Sequence, residues 1–539
     1  MTDKFKNLTV KLKKLCDSIR NKPVLLCGIG CFVLFCLAFF TIYYVRVMFE
    51  PKWVTQIKGT LVLFGIMAGI AATALVAAKF SKGNKALLMT ALLFIVGMVF
   101  VFVTPPNQAP DEQSHFLRSY AMGMGDFQFD EGQQWPNDVY LLMDAFPIAY
   151  NNGYPARDNY TVANRFDMYY NSIESGDRGT PIGIIIFQII PYLPQALGVF
   201  IGRMFGAHAL ICMWLARIVN LMFYCGCCFV ALSWAKKYRM MMYAVMAMPL
   251  TLFIAASCNN DSMLFGLMFL CIGSVLNDKF DRKKAITFAI AFAVMCTSKM
   301  SYIVFALLLI LMDNSKWKLK RKKWQYFVIV FITFFVVYQG MGYAVALLSN
   351  YGVIERTMID SNPMAQLMFI IKNPLRYVVV FLDTLRNNSF FLFSGGLLGW
   401  IDVDIRIVSY FTPVMLLWAA FKNAQLLDKK DLKPALVFLA TCILTYGVTL
   451  TGMYITWTPV TLPQIIGMQM RYILPGLFGL LFGIAYWMRG YMAPARLDSK
   501  GNPAGENSLI WTNFVFGLVS AALYYAVYYI PEKSIVFVS

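Results

Sequence analysis

Ala86–Thr104 reads ALLMTALLFIVGMVFVFVT and carries no charge. As an α-helix, a stretch of this length crosses about 30 Å of hydrocarbon. Comparable stretches recur from one end of the chain to the other. The 539 residues are 59% hydrophobic and 14% charged, with a mean hydropathy of +0.61. A soluble chain of this size would divide into several domains with polar surfaces. The alternating short strands of a membrane barrel do not appear in the sequence, so the fold class is an all-α polytopic membrane protein.

The hydrophobic pattern predicts about thirteen transmembrane helices, at 24–45, 57–79, 86–104, 209–235, 239–257, 262–277, 284–297, 301–312, 325–348, 406–421, 434–456, 471–488 and 509–530. The pair within 284–312 is short for two full crossings. Basic loops orient the set. Residues 1–22, 79–85, 236–239, 277–284, 313–323, 422–433 and 489–508 hold most of the 47 Lys and Arg, and they alternate with the spans. Basic loops stay cytoplasmic, so the N-terminus is expected inside and the C-terminus outside. The net charge of +19 is therefore placed for a membrane and not for nucleic acid.

The expected organisation is a basic cytoplasmic leader (1–22), not a cleaved signal, and three N-terminal transmembrane helices (23–104). An acidic extracytoplasmic loop with short amphipathic, interfacial helices follows (105–208). Then come a transmembrane core (209–348), a second extracytoplasmic segment (349–405) and the C-terminal transmembrane helices (406–539). Within the acidic loop, 181–203 is apolar but broken by Pro191 and Pro194, so it is laid along the outer membrane surface. Gly198, Gly202 and Gly206 recur every four residues, a spacing that suits close helix packing. The 12 cysteines avoid the stretch from Asn107 to His208, which argues against a disulfide-stapled outer domain.

Four places can carry chemistry. Asp111, Glu112, His115 and Arg118 follow the third span directly. A helix starting after Pro110 puts Asp111, His115 and Arg118 on one face. A carboxylate there can act as a general base, with His or Arg tuning it or holding an anion. The plainer alternative is that Asp111 and Glu112 cap the helix. Ser257–Asp261 is either a turn with a helix cap or a site that includes Asp261. Lys299 and Tyr302 sit at the tip of the short hairpin, where a lysine either snorkels or binds an anion. Gln469, Arg471 and Tyr472 open the twelfth span. An outer arginine there suits a phosphate at headgroup depth or serves as an interface anchor.

No P-loop, strand-linked GxGxxG, HExxH or GxSxG occurs, so the substrate is expected through the membrane or from outside. Outward carboxylates, Lys299 and Arg471 fit a phosphate-bearing lipid.

In order and placement these motifs resemble the GT-C membrane glycosyltransferases. More closely, the chain resembles the bacterial membrane-protein family known as domain of unknown function twenty-one forty-two. Pro105–Arg118, Ala256–Asp261, Lys299–Tyr302, Gly395–Asp402 and Ile466–Pro475 carry the likeness, which covers roughly 90–490. The resemblance implies inverting transfer of a sugar from a polyprenyl-phosphate-linked donor to a cell-envelope glycan outside the cytoplasm, by a multi-pass enzyme of the plasma membrane. By the same carry-over Asp111 is the base, Glu112 a second carboxylate, and Lys299 and Arg471 hold the donor phosphate. His115, Arg118, Asp261, Tyr302, Gln469 and Tyr472 support substrate. Relatives differ in using a divalent metal, magnesium or manganese; its candidate ligands here are Asp111, Glu112 and His115. The GT-C acidic pair usually follows the first span and here follows the third, leaving two extra N-terminal helices without a role. The alternatives are a transporter or lipid-linked glycan flippase, and a polymerase or ligase of lipid-linked glycans.

Overall fold

The computed structural model describes residues 68–529, apart from 128–133, 148–161, 180–188, 278, 313–316, 321, 349–360, 395–397, 400–402, 404, 461, 496–502 and 504. The expected leader and first span lie outside these residues, as does most of Gly395–Asp402. Among the described residues every named element is a helix. Isolated β-bridges join Phe280 to Trp317 and Leu398 to Val403.

In chain order the helices are α1 (Ala68–Phe80), α2 (Lys85–Val103), α3 (Glu112–Gly123), α4 (Asn137–Ala145), α5 (Val162–Ser175), α6 (Leu193–Met204), α7 (Ala209–Trp234), α8 (Arg239–Met246), α9 (Pro249–Ala255) and α10 (Asn260–Val275). They continue with α11 (Arg282–Ser298), a 3-10 helix (Met300–Leu311), α12 (Lys323–Leu348), α13 (Pro363–Lys372), α14 (Pro374–Ser394), α15 (Arg406–Ala424), α16 (Leu432–Thr456), α17 (Met470–Met488) and α18 (Glu506–Tyr529). Local chemistry sets their ends. The Asn84 side chain accepts the Leu87 N–H and starts α2, while Pro105 and Pro106, which have no N–H to give, stop it. Asp281 caps α11 by accepting the Lys284 N–H at 3.2 Å.

Among the described residues six helices are long and apolar enough to span a bilayer, or up to eight if each bent pair counts as one span. This is a multi-pass membrane protein. The first of the thirteen expected spans and residues 57–67 of the second lie outside the described residues; within them, several expected spans take other shapes for physical reasons. The 239–257 stretch is two helices, α8 and α9, bent by 77°, because Pro249 disfavours a helical residue before it. Residues 300–311 wind as a 12-residue 3-10 helix. At about 2 Å per residue this reaches some 24 Å, further than an α-helix of equal length. Inside the stretch read as a second outer segment, α13 and α14 form an apolar pair bent by 110° at Asn373–Pro374.

The bundle core is continuous. Phe100 of α2, Phe253 of α9 and Tyr524 of α18 pack edge-on or tilted with ring centroids 5.2–6.4 Å apart. Small residues let helices approach closely, the usual device where lipid supplies no hydrophobic drive. A Cβ on Gly479 would sit 2.1 Å from the Phe438 carbonyl oxygen across the α16–α17 contact. Gly198 and Gly202 of α6 meet Ala216 and Cys212 of α7 in the same way, whereas Gly206, at φ +70°, turns the chain after α6 and packs on nothing. Helices α3–α6 and the start of α7 form a second cluster around Phe116, Tyr120, Leu142, Tyr169, Tyr192 and Val199. The outer side of α6 leaves Leu193, Leu197, Phe200 and Met204 uncovered.

The two ends of the bundle differ. At one end Lys237 and Tyr238 bond Asp431, Arg239 pairs with Glu506, and the Ala495 N–H donates to the Gln425 carbonyl, joining the basic loops. Helix α2 starts at that end and, with 19 residues, rises about 28 Å to the other. The α16–α17 contact offers a direct check. Gly479→Ala forces backbone apart and should cost about 1–3 kcal/mol, read as a lower melting temperature of the detergent-purified protein.

Candidate functional site

The DE pair separates into two roles. Asp111 sits at the N-cap of α3 with φ 61°, and its side chain makes no capping bond. A non-glycine residue in the left-handed region is uncommon and marks a position held by its surroundings. The next residue, Glu112, faces the other way, into the bundle. Its carboxylate receives Arg217 Nε at 2.8 Å and Nη2 at 2.7 Å, with neither side chain exposed. Glu112 Oε1 also accepts the Cys258 N–H at 2.9 Å. The remaining Arg217 donors reach the carbonyls of Val101, Thr104 and Pro105, so all five guanidinium N–H groups are used. Glu112 is thus a structural anchor, placed away from the cavity. Arg217 was open to detection as the one charge within the apolar run Ala209–Trp234, since a charge there needs a partner.

Most of the other candidates meet around a cavity of about 340 Å³. Its lining includes Asp111, His115, Asp261, Lys299, Tyr302, Arg471 and Tyr472, with Thr449, Gly452 and Met453 of α16 as the far wall. Arg471, in the first turn of α17, donates Nη2 to Asp111 Oδ2 at 2.6 Å and Nη1 to the Pro110 carbonyl at 3.2 Å. Its Nε lies 3.6 Å from Asp261 Oδ2. Asp261 in turn pairs with Lys299. Asn259 caps α10 by accepting the Asp261 N–H at 2.8 Å, and its amide donates to the Pro110 carbonyl at 3.1 Å. The cap belongs to Asn259, which leaves the Asp261 carboxylate for the cavity. Lys299 stands at the junction of α11 and the 3-10 helix, its Nζ 4.4 Å from the centre of the Tyr472 ring. Tyr302 is buried and donates to the Tyr472 carbonyl at 3.3 Å.

Three helix N-termini, those of α3, α10 and α17, open onto this volume. Their dipoles favour negative charge there. The side chains themselves contribute two carboxylates and two cations. His115 adds a neutral ring: burial pulls it from 6.5 down to about 4, with the Asp111 carboxylate opposing. Its Nδ1 shares a 2.7 Å hydrogen bond with the Tyr192 hydroxyl.

Two nominated residues lie elsewhere. Arg118 is buried and does not line the cavity; loss of water lowers its guanidinium to about 9 against the pull of Tyr192 and Asp126. Gln469 precedes α17 but does not line the cavity. Nor do Asp111, Glu112 and His115 suit a divalent metal. Glu112 is committed to Arg217, and among the described residues no three His, Cys, Asp or Glu side chains converge. Tyr192 and the α16 wall were not singled out in the sequence, because nothing local distinguishes them from packing residues, whereas Asn259 is the helix cap that the reading of Ser257–Asp261 allowed for.

The profile of the DUF2142 family, described as a predicted membrane protein, matches residues 93–480, which include every residue of the cavity. No curated protein and no solved structure matches the chain.

The anchor and the cavity carboxylate should respond differently to loss of charge. Glu112→Gln strands Arg217 as a buried cation and should cost about 3–5 kcal/mol, measured as loss of folded protein on heating in detergent. Asp111→Asn, at a side chain 38% exposed, should stay far closer to wild type. The histidine makes a further prediction. Its folded pKa lies below the unfolded value, so the unfolded chain binds the proton more readily. Stability is complete above pH 6.5 and should fall as pH drops through about 4. The melting temperature of His115→Gln should show a shallower decline across that window.

Proposed function

The chain belongs to the DUF2142 family of predicted membrane proteins, and from that premise and the ionic set of its cavity we propose that it is an inverting, GT-C-like glycosyltransferase. In this reading about thirteen helices cross the plasma membrane, the basic loops face the cytoplasm and the cavity opens outside. The donor is a sugar on a polyprenyl phosphate, and the acceptor is a hydroxyl of a cell-envelope glycan.

One observation carries the reading. Arg471, Lys299 and the three helix N-termini surround the same small volume as a part-exposed carboxylate, Asp111. Donors placed where charge develops stabilise a leaving group, and a carboxylate within reach of the acceptor can take its proton. Asp111 takes the proton of the acceptor hydroxyl, and the oxygen attacks the anomeric carbon. The bond from that carbon to the phosphate oxygen breaks, and the carrier phosphate leaves with the electron pair toward Arg471 and Lys299. Attack opposite the leaving group inverts the anomeric centre. Cations of the chain itself hold the phosphate. Tyr472, with Lys299 Nζ and the Arg471 guanidinium against its ring, offers an aromatic wall of the kind a sugar face packs on.

The cavity is small for a binding site, near the lower end of the usual range of about 300–1,000 Å³. That size suits one sugar with its phosphate better than a preassembled oligosaccharide, and favours a transferase over a polymerase or ligase of long lipid-linked glycans.

The test is transfer by purified protein in liposomes supplied with a radiolabelled polyprenyl-phosphate sugar and envelope glycan. Asp111→Asn should lower the rate by about 10²–10⁴, the usual contribution of a general base, while the protein stays folded. Transfer at the wild-type rate would remove Asp111 from the chemistry and with it the proposal.

A further inference from the structure

The cavity's charges balance one another. Asp111 and Asp261 stand against Arg471 and Lys299, so adding an anion leaves net negative charge beside the buried Asp261 unless a carboxylate withdraws. One carboxylate has to give way, and the two differ in their freedom to do so.

Asp261 is fixed. Its side chain is 1% exposed, it holds Lys299, and it lies beside Arg471 Nε. Its backbone N–H is bound by Asn259, which is itself tied to Pro110. Asp111 is 38% exposed at the cavity mouth and makes no capping bond to α3. Its 2.6 Å bond to Arg471 Nη2 occupies the cation that the phosphate needs.

We infer that Asp111 is the built-in counter-ion of Arg471, and that a phosphate anion binds by taking its place on the guanidinium. This rests on the reading of the cavity as a phosphate site. Two consequences follow. An exchange of one carboxylate for one phosphate oxygen releases one unit of positive charge, which matches the single charge of a phosphodiester-linked sugar donor. The displaced carboxylate, no longer bonded to a guanidinium, becomes more basic at the moment the donor arrives. The base is therefore masked until the donor is bound, and acceptor binding at the mouth beside the released carboxylate comes second. Asp111 thus acts twice: as a competitor of the donor and then as the proton acceptor.

The opposed effects make the inference testable by binding alone. Full-length protein in detergent is titrated calorimetrically with farnesyl monophosphate, with farnesol as the uncharged control. Wild type, Asp111→Asn and Asp111→Ala are compared, the second variant guarding against a folding defect in the first. Both variants should bind farnesyl monophosphate about tenfold tighter than wild type, the worth of one competing charge-assisted hydrogen bond, and farnesol no differently. Equal or weaker binding by the variants would overturn the counter-ion assignment and leave the phosphate site standing. If no protein prefers farnesyl monophosphate to farnesol, the phosphate site itself falls, and the counter-ion with it.

Discussion

The site depends on the buried pair of Glu112 and Arg217. One guanidinium closes on a carboxylate from the start of α3 and on three carbonyls at the end of α2. The same carboxylate holds the Cys258 N–H, just before α10. A single ion pair therefore locks α2, α3, α7 and the turn into α10. Taking both charges out of water is expensive, and only the complete use of their hydrogen-bonding capacity makes the arrangement stable. Because successive residues cannot both face the bundle interior here, anchoring Glu112 turns Asp111 toward the cavity. The left-handed backbone at Asp111 is the local cost of that turn.

Around this anchor the cavity is assembled from helix ends. Asp111, Asp261 and Arg471 stand in or beside the first turns of α3, α10 and α17, and Lys299 stands where an α-helix gives way to a 3-10 helix. Side chains on helix termini are held by rigid elements and face the opening, with His115 of α3 and Thr449, Gly452 and Met453 of α16 completing the lining. The 3-10 stretch contributes by reach: its longer rise per residue spans a given depth with fewer residues. Ionic contacts among the basic loops hold the opposite end, so the bundle has one end stitched by salt bridges and the other hollowed into a charged pocket.

The distribution of charge also separates support from chemistry. Glu112 and Arg217 have no exposure and a full set of partners. Asp261 is nearly as buried but touches the cavity cations, which makes it the pivot that holds Lys299 near Arg471. Asp111 and Asp261 both pair with a cation and line the cavity, but Asp111 is the exposed one, at 38% against 1%. A graded exposure of this kind lets one residue exchange partners while the framework stays in place.

Amino-acid order by itself determined the membrane class, the helical architecture and the pairing of chemistry with helix ends. Length, apolar composition and the alternation of basic loops are local or additive properties that survive without a fold. The short motifs around Asp111, Asp261, Lys299 and Arg471 were legible for a similar reason: charges beside apolar helices are costly and stand out. What tertiary structure decided was direction. Adjacent residues such as Asp111 and Glu112 look equivalent on paper, and the partner that distinguishes them, Arg217, lies 105 positions away. The bends before Pro249 and Pro374, the 3-10 winding of 300–311 and the burial of Arg118 likewise depend on what packs against each element. No periodicity encodes those contacts, because they form between segments distant in the chain.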